Sequence, residues 1–193
     1  MSADIDIDFA DRSQILALIR HTAARQTVDG QVRRHNSGVY VTDIPWDPVN
    51  QCAAIDYQTA EELGYFKIDF LNMSVYQLIQ SNDHYQAMLT AAPPWTRFNQ
   101  EQEFFEQLVH VANHWGSLQN MPEPVDSIPR LAMFLAIIRP AKRHLIGETW
   151  AEVAKTIWDA SADGYSFKKS HAVAYAHLVT LHMNLIHTAN QSN

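Results

Sequence analysis

The chain has little cysteine, few basic residues and no long apolar run. Cys52 is its single cysteine, which excludes an internal disulfide and any cysteine-based zinc site. No apolar stretch approaches the roughly 20 residues a membrane helix needs, so no membrane partner is expected. The N-terminus is acidic and lacks an apolar h-region, so it does not read as a signal peptide, and cytoplasmic residence is the expectation. Lys and Arg total 14 against 21 Asp and Glu, a net charge of −7. That balance argues against holding nucleic acid by bulk charge, though not against local basic sites. The bases do cluster, at Arg33-Arg34, at Arg139 with Lys142-Arg143, and at Lys168-Lys169. Internal repeats and low-complexity tracts are also missing. The 193 residues, 47% hydrophobic, suit one globular domain with a small appendage.

Acid is present, and it is patterned. Residues 4–9, Asp4-Ile5-Asp6-Ile7-Asp8-Phe9, read as a strand with the aspartates on one face and Ile5, Ile7 and Phe9 on the other. Carboxylates crowded on one face repel and resist burial. A solvated acidic edge strand is the plain reading. The chemical reading is a hard divalent cation, most often Mg²⁺ with a polyphosphate. A second acidic strand, Phe66-Lys67-Ile68-Asp69-Phe70, favours chemistry, with Lys67 on the face of Asp69. Aspartates on two such strands can hold two cations about 3.5–4 Å apart, a geometry suited to in-line nucleotidyl transfer.

The remaining pattern predicts strands early and helices late. A helical stripe runs over Ser13–Ala24, Asp29-Gly30 marks a turn, and Gly38–Val41 reads as a short strand. Helices are predicted over Val75–Leu89, Gln100–Trp115, Ile128–Ile138, Trp150–Ala160 and Ser170–Ala189, with Ser170 as N-cap of the last. A helix N-terminus behind two lysines is a natural triphosphate site, although an ordinary solvated turn is the simpler explanation of the lysines taken alone. The order points to an α+β fold, with residues 1–90 carrying the acidic strands and 91–193 helical, together one compact unit. Of the ten histidines, His110 and His114 are four apart on a predicted helix and read as a surface or partly buried pair rather than a metal site. His177, His182 and His187 read as packing and surface positions. The tryptophans read mainly as core, with Trp46 and Trp95 in Pro-containing loops as candidates for stacking on bases.

The acidic strands resemble a known family. Asp4-Ile5-Asp6-Ile7-Asp8-Phe9 is similar to the signature strand of the alpha subunit of bacterial DNA polymerase III, the C-family replicative polymerases. Phe66-Lys67-Ile68-Asp69-Phe70-Leu71 resembles that family's second catalytic strand. Arg34-His35-Asn36-Ser37-Gly38-Val39 resembles its His-Ala-Gly-Gly-Val segment, with serine in place of the first glycine. Ile138-Arg139-Pro140 resembles its Phe-Arg-Pro-Gly segment. The run Gly164-Tyr165-Ser166-Phe167-Lys168-Lys169-Ser170-His171, continuing to Ala176, resembles its Gly-Tyr-Gly-Phe-Asn-Lys-Ser-His run. These segments keep the family's order at much shorter spacings.

The resemblance implies a small polymerase-beta-like nucleotidyltransferase palm sheet with a helix-rich, reduced fingers region. It implies that Asp6, Asp8 and Asp69 are catalytic and hold two Mg²⁺ or Mn²⁺ ions, with Asp4 a bystander. It implies nucleotide binding by His35, Ser37, Gly38, Lys67, Arg139, Lys168, Lys169, Ser170 and His171, with His171 orienting a loop or the triphosphate rather than acting as a base. The expected activity is addition of deoxynucleotides to a DNA 3′ end, with primer-template DNA and deoxynucleoside triphosphates as partners. The reduction fits a phage or mobile element of bacteria, in the bacterial cytoplasm. The family's Gly-Ser triphosphate turn precedes its first catalytic strand, and here that strand starts at residue 4. A split polymerase completed by a second replication chain, or a non-enzymatic decoy of the replication machinery, are the alternatives.

Overall fold

The computed structural model describes residues 5–160 and 167–191. Asp4, and Gly164, Tyr165 and Ser166 of the last family-like run, lie outside them. The protein is α+β and divides into two units, Met1–Leu78 and Ile79–Asn193. The division falls before Asn82–Thr90 rather than at 90/91, because that helix is tied into the helical unit. The buried Asn184 amide donates to the carbonyls of Met88 and Ala91, at 2.8 and 3.1 Å.

The first unit is built on a 4-stranded mixed sheet in the order β1-β6-β3-β2. These strands are β1 (Ile5–Phe9), β2 (Thr22–Val28), β3 (Gln31–Tyr40) and β6 (Ile68–Asn72). β1 runs parallel to β6, while β3 is antiparallel to both β6 and β2. A small ribbon pairs β4 (Trp46–Asp47) with β5 (Cys52–Ala53). Helix α1 (Arg12–Leu18), capped by Asp11, follows β1, and α2 (Tyr57–Glu62), capped by Asp56, precedes β6. The core is small: Ala24, Tyr40, Ile44, Ala53 and Ala60, flanked by Ile55, Tyr57 and Tyr65.

The predicted helix over Ser13–Ala24 stops at Leu18, which is 82% exposed, and Ile19 is already extended, so the helical stripe is not continued. From Thr22 the chain is extended and pairs with β3 through a tight hairpin, where β-branched Thr22, Thr27 and Val28 fit a pleated surface. Asp29 and Gly30 make the turn, at φ 51° and 74°, the pair of positive values that a type I′ hairpin requires. The predicted strand at 38–41 is thus the end of a longer one.

The helical unit holds the larger core. Helix α7 (Ile128–Ile137) packs on α9 (Lys169–Gln191), around buried Phe98, Phe104, Phe105, Phe134 and Leu135. The predicted helix over Val75–Leu89 is a 3-10 turn, Ser74–Leu78, followed by α3 (Asn82–Thr90), whose N-cap Ser81 accepts from the His84 N–H. The predicted Gln100–Trp115 helix breaks into α4 (Trp95–Gln100), α5 (Gln102–Phe105) and, after a 3-10 turn, α6 (Trp115–Gln119). His110 sits at φ 67°, so His110 and His114 do not share a helical face. The remaining helix, α8 (Trp150–Thr156), is capped by Thr149. Among the described residues, no helix is long and apolar enough to cross a membrane.

Candidate active site

The parallel pairing of β1 with β6 sets Asp6 directly beside Asp69, and Asp8 beside Leu71. Residues level with each other on neighbouring strands share a face, so Asp6, Asp8 and Asp69 stand on one side of the sheet. Ile7 and Phe70, level with each other, and the Phe9–Phe70 ring pair stand on the other side. Asp6 is exposed and Asp8 half-buried, whereas Asp69, on a central strand, is 8% exposed. Across β6 from Asp6, Gly38 of β3 is level with Asp69.

Asp69 turns towards β3. Its Oδ2 pairs with Lys67 Nζ, and its Oδ1 accepts from Ser37 Oγ at 2.6 Å. Ser37 reaches it because β3 bulges. Between the pairs Arg34–Arg25 and Val39–Ala23, residues 35–38 of β3 stand opposite Ala24 alone. His35 holds the bulge, its Nδ1 accepting from the N–H groups of Gly38 at 2.9 Å and Ser37 at 3.3 Å. An imidazole that accepts at Nδ1 carries its proton on Nε2 and is neutral. Burial first, and then the Lys67 charge, hold the His35 pKa below its ordinary value despite Asp69 at 3.6 Å. His35 therefore shapes the backbone rather than pairing with Asp69 as an ion.

Gly38 is the residue that lets Lys67 lie across the sheet. A Cβ there would stand 2.7 Å from Lys67 Cδ and 3.0 Å from His35 Nδ1, closer than side chains tolerate. The Tyr57 ring flanks both neighbours, edge-to-face with His35 at 5.3 Å and 5.9 Å from Lys67 Nζ. On β1, burial and then the charge of Asp6 push the Asp8 carboxyl above its ordinary range, against a hydrogen bond from Tyr76. Arg12 closes the strand ends, its N–H donating to Asn72 Oδ1 at 2.8 Å and its guanidinium to the Phe70 carbonyl at 3.1 Å. Sequence reasoning passed over Tyr57 and Tyr76. Neither belongs to an acidic pattern, and their place depends on tertiary contacts.

The carboxylate set is all oxygen, which suits a hard divalent ion. Among the described residues, no three of His, Cys, Asp and Glu converge on one point. Asp69 faces β3, away from Asp6. Neighbouring strands are only about 4.8 Å apart, so a rotation of the Asp69 side chain towards β1 would be needed for it to share an ion with Asp6. The Lys67 ammonium pairs with Asp69, and its stem passes over Gly38; the oxygen donors of Asp6, Asp8 and Asp69 are of the type a hard divalent ion takes.

The remaining predicted site residues lie in the helical unit. Arg139 precedes the 3-10 segment Pro140–Leu145 without a side-chain capping hydrogen bond, its guanidinium over the Phe167 ring at 4.7 Å and its Nε buried without a hydrogen-bond partner. Phe167 stacks on Tyr175 at 6.0 Å, and His171 lies 6.4 Å from the same ring, so Arg139 and His171 border one aromatic pair. His110 packs on Tyr175 at 4.4 Å, and burial with the Arg139 charge lowers its pKa. Lys169 stands 5.9 Å from the Trp158 ring. Helix α9 begins at Lys169 and the Lys168 carbonyl accepts from the Ala172 N–H, so Ser170 lies inside the first turn and is not the N-cap. Trp46 is 57% exposed, whereas Trp95 packs edge-on against Phe98. Compared with protein-family models, curated proteins and solved structures, the chain matches none.

Proposed function

We propose that the chain is a small two-metal nucleotidyltransferase that adds deoxynucleotides to a DNA 3′ end, a reduced C-family polymerase core with a palm-like sheet and a fingers-like helical part. The observation that carries this reading is the level pairing of Asp6 with Asp69 on parallel strands, with Asp8 on the same face and Lys67 beside them. The family-like order of the sequence segments supports it.

On this reading Asp6, Asp8 and Asp69 hold the ions. Two bound divalent ions would supply activation of the primer 3′-hydroxyl and neutralisation of the departing pyrophosphate. Lys67 meets phosphate oxygens at the rim of the site. His35 fixes the bulge that presents Ser37 and Gly38 to the nucleotide. In the helical part, Arg139, Lys168, Lys169, Ser170 and His171 gather near the start of α9, where the N–H groups of a long helix favour triphosphate oxygens.

The test is primer extension with Mg²⁺ or Mn²⁺, with and without template, beside Asp6→Asn, Asp8→Asn and Asp69→Asn. Incorporation by the wild type, lost in folded variants, is the expected result. No incorporation with any primer, template, metal or nucleotide overturns the reading for this chain alone. Activity only after mixing with a co-purifying polypeptide assigns it to a split enzyme.

A further inference from the structure

The acidic face already carries a cation of its own. Lys67 and Asp69 have side chains only 19% and 12% exposed, and they pair directly. The pairing is built in from several directions. Gly38 leaves the gap through which the Lys67 stem passes, Ser37 holds the second carboxylate oxygen, and the Tyr57 ring flanks the ammonium. Ser37 of β3 holds Asp69 directly, while Gly38 and Tyr57 seat the lysine that pairs with it, so Asp69 is engaged on the β3 side and not by Asp6 on β1.

We propose that Lys67 is the resident counter-cation of this face, and that a divalent ion binds there by displacing Lys67 from Asp69. The inference rests on the reading of Asp6, Asp8 and Asp69 as metal ligands. The exchange is simple in charge and bonds. The Lys67–Asp69 ion pair breaks, the carboxylate rotates towards β1 and coordinates the ion, and the ammonium stays protonated beside it. The freed ammonium is then available to an anion, so the site takes up metal and polyphosphate together more readily than metal alone. The lysine keeps Asp69 compensated while the site is empty, since a buried carboxylate without a cation is strongly unfavourable. The same lysine weakens ion binding in the absence of an anion.

Mn²⁺ titration followed by electron paramagnetic resonance, without nucleotide, tests this on the full chain. Lys67→Met is expected to bind Mn²⁺ roughly tenfold or more tightly than the wild type, the direction expected when a competing cation is removed. Gly38→Ala keeps every charge but crowds the lysine stem, and it is expected to shift binding the same way. Asp69→Asn is expected to lose the tighter binding. Circular dichroism checks each fold, and if Lys67→Met does not fold, Gly38→Ala decides. Measurable wild-type binding with unchanged or weaker binding in the variants overturns the exchange and leaves the metal site standing. No Mn²⁺ binding by any form overturns both.

Discussion

Removing one partner of the Lys67–Asp69 pair leaves a poorly solvated charge, and its cost can be worked out from the structure. Breaking a buried ion pair by deleting one side costs about 3–5 kcal/mol. The side chains keep 19% and 12% of their exposure, and Ser37 still donates to Asp69, so the cost falls at or below the bottom of that range, about 2–3 kcal/mol for Lys67→Met. Asp69→Asn preserves shape and the Ser37 contact but strands the ammonium, which can swing towards solvent, so its cost is smaller. The double variant removes both charges, and the cycle should return a coupling of about 1–3 kcal/mol. The chain has two units, so a single unfolding curve would mix them. Native-state amide exchange at Ile68 and Phe70, in β6, reads the sheet alone. EDTA in the buffer keeps divalent ions out of the measurement. A coupling below about 0.5 kcal/mol would show that the pair is incidental, and the reasoning about a resident cation would fail with it.

Three other expectations concern the two cores. The Tyr40 hydroxyl is buried without a hydrogen-bond partner, and burial, with Asp56, Glu61 and Asp69, pushes its pKa up to about 12. Folding favours the protonated phenol, so stability is full below the ordinary value near 10 and falls as pH rises from there towards 12, by roughly 2–3 kcal/mol. Tyr40→Phe should be neutral or stabilising and should abolish that alkaline loss, as read by chemical denaturation against pH. His182 accepts from the Val109 N–H at 3.1 Å, and burial lowers its pKa. Folding favours the neutral ring, so its contribution holds above about pH 6.5 and is lost as pH falls through the folded value; His182 ring NMR against exchange of α9 amides checks the coincidence. Asn184→Ala orphans the Met88 and Ala91 carbonyls and should cost about 1–3 kcal/mol, with faster proteolysis at α3 than elsewhere.

The fold class was legible in the sequence because strand-like alternation ended near Asp69 and helical spacing dominated afterwards. Ile128–Ile137 was readable because an unbroken apolar run with Pro129 in its first turn permits little else. Ser13–Ala24 misled because a short stripe does not reveal whether a surface exists to receive it. Leu18, in solvent at the end of α1, shows that the stripe's last helical position has none. Gln100–Trp115 misled for a different reason: its apolar residues pack the core from short segments, and His110 at positive φ interrupts the helix that spacing alone suggests.

The sequence by itself determined which carboxylates could share a face, since a period of two is a property of any strand. It also determined that Lys67 and Asp69 would be neighbours on that face. Tertiary structure alone decided that Asp6 lies level with Asp69, because register between strands distant in sequence depends on pairing. It likewise decided that Asp69 faces Ser37 and Lys67 rather than Asp6. That choice comes from a bulge in β3 and from the space Gly38 leaves, and both exist only once three strands are side by side.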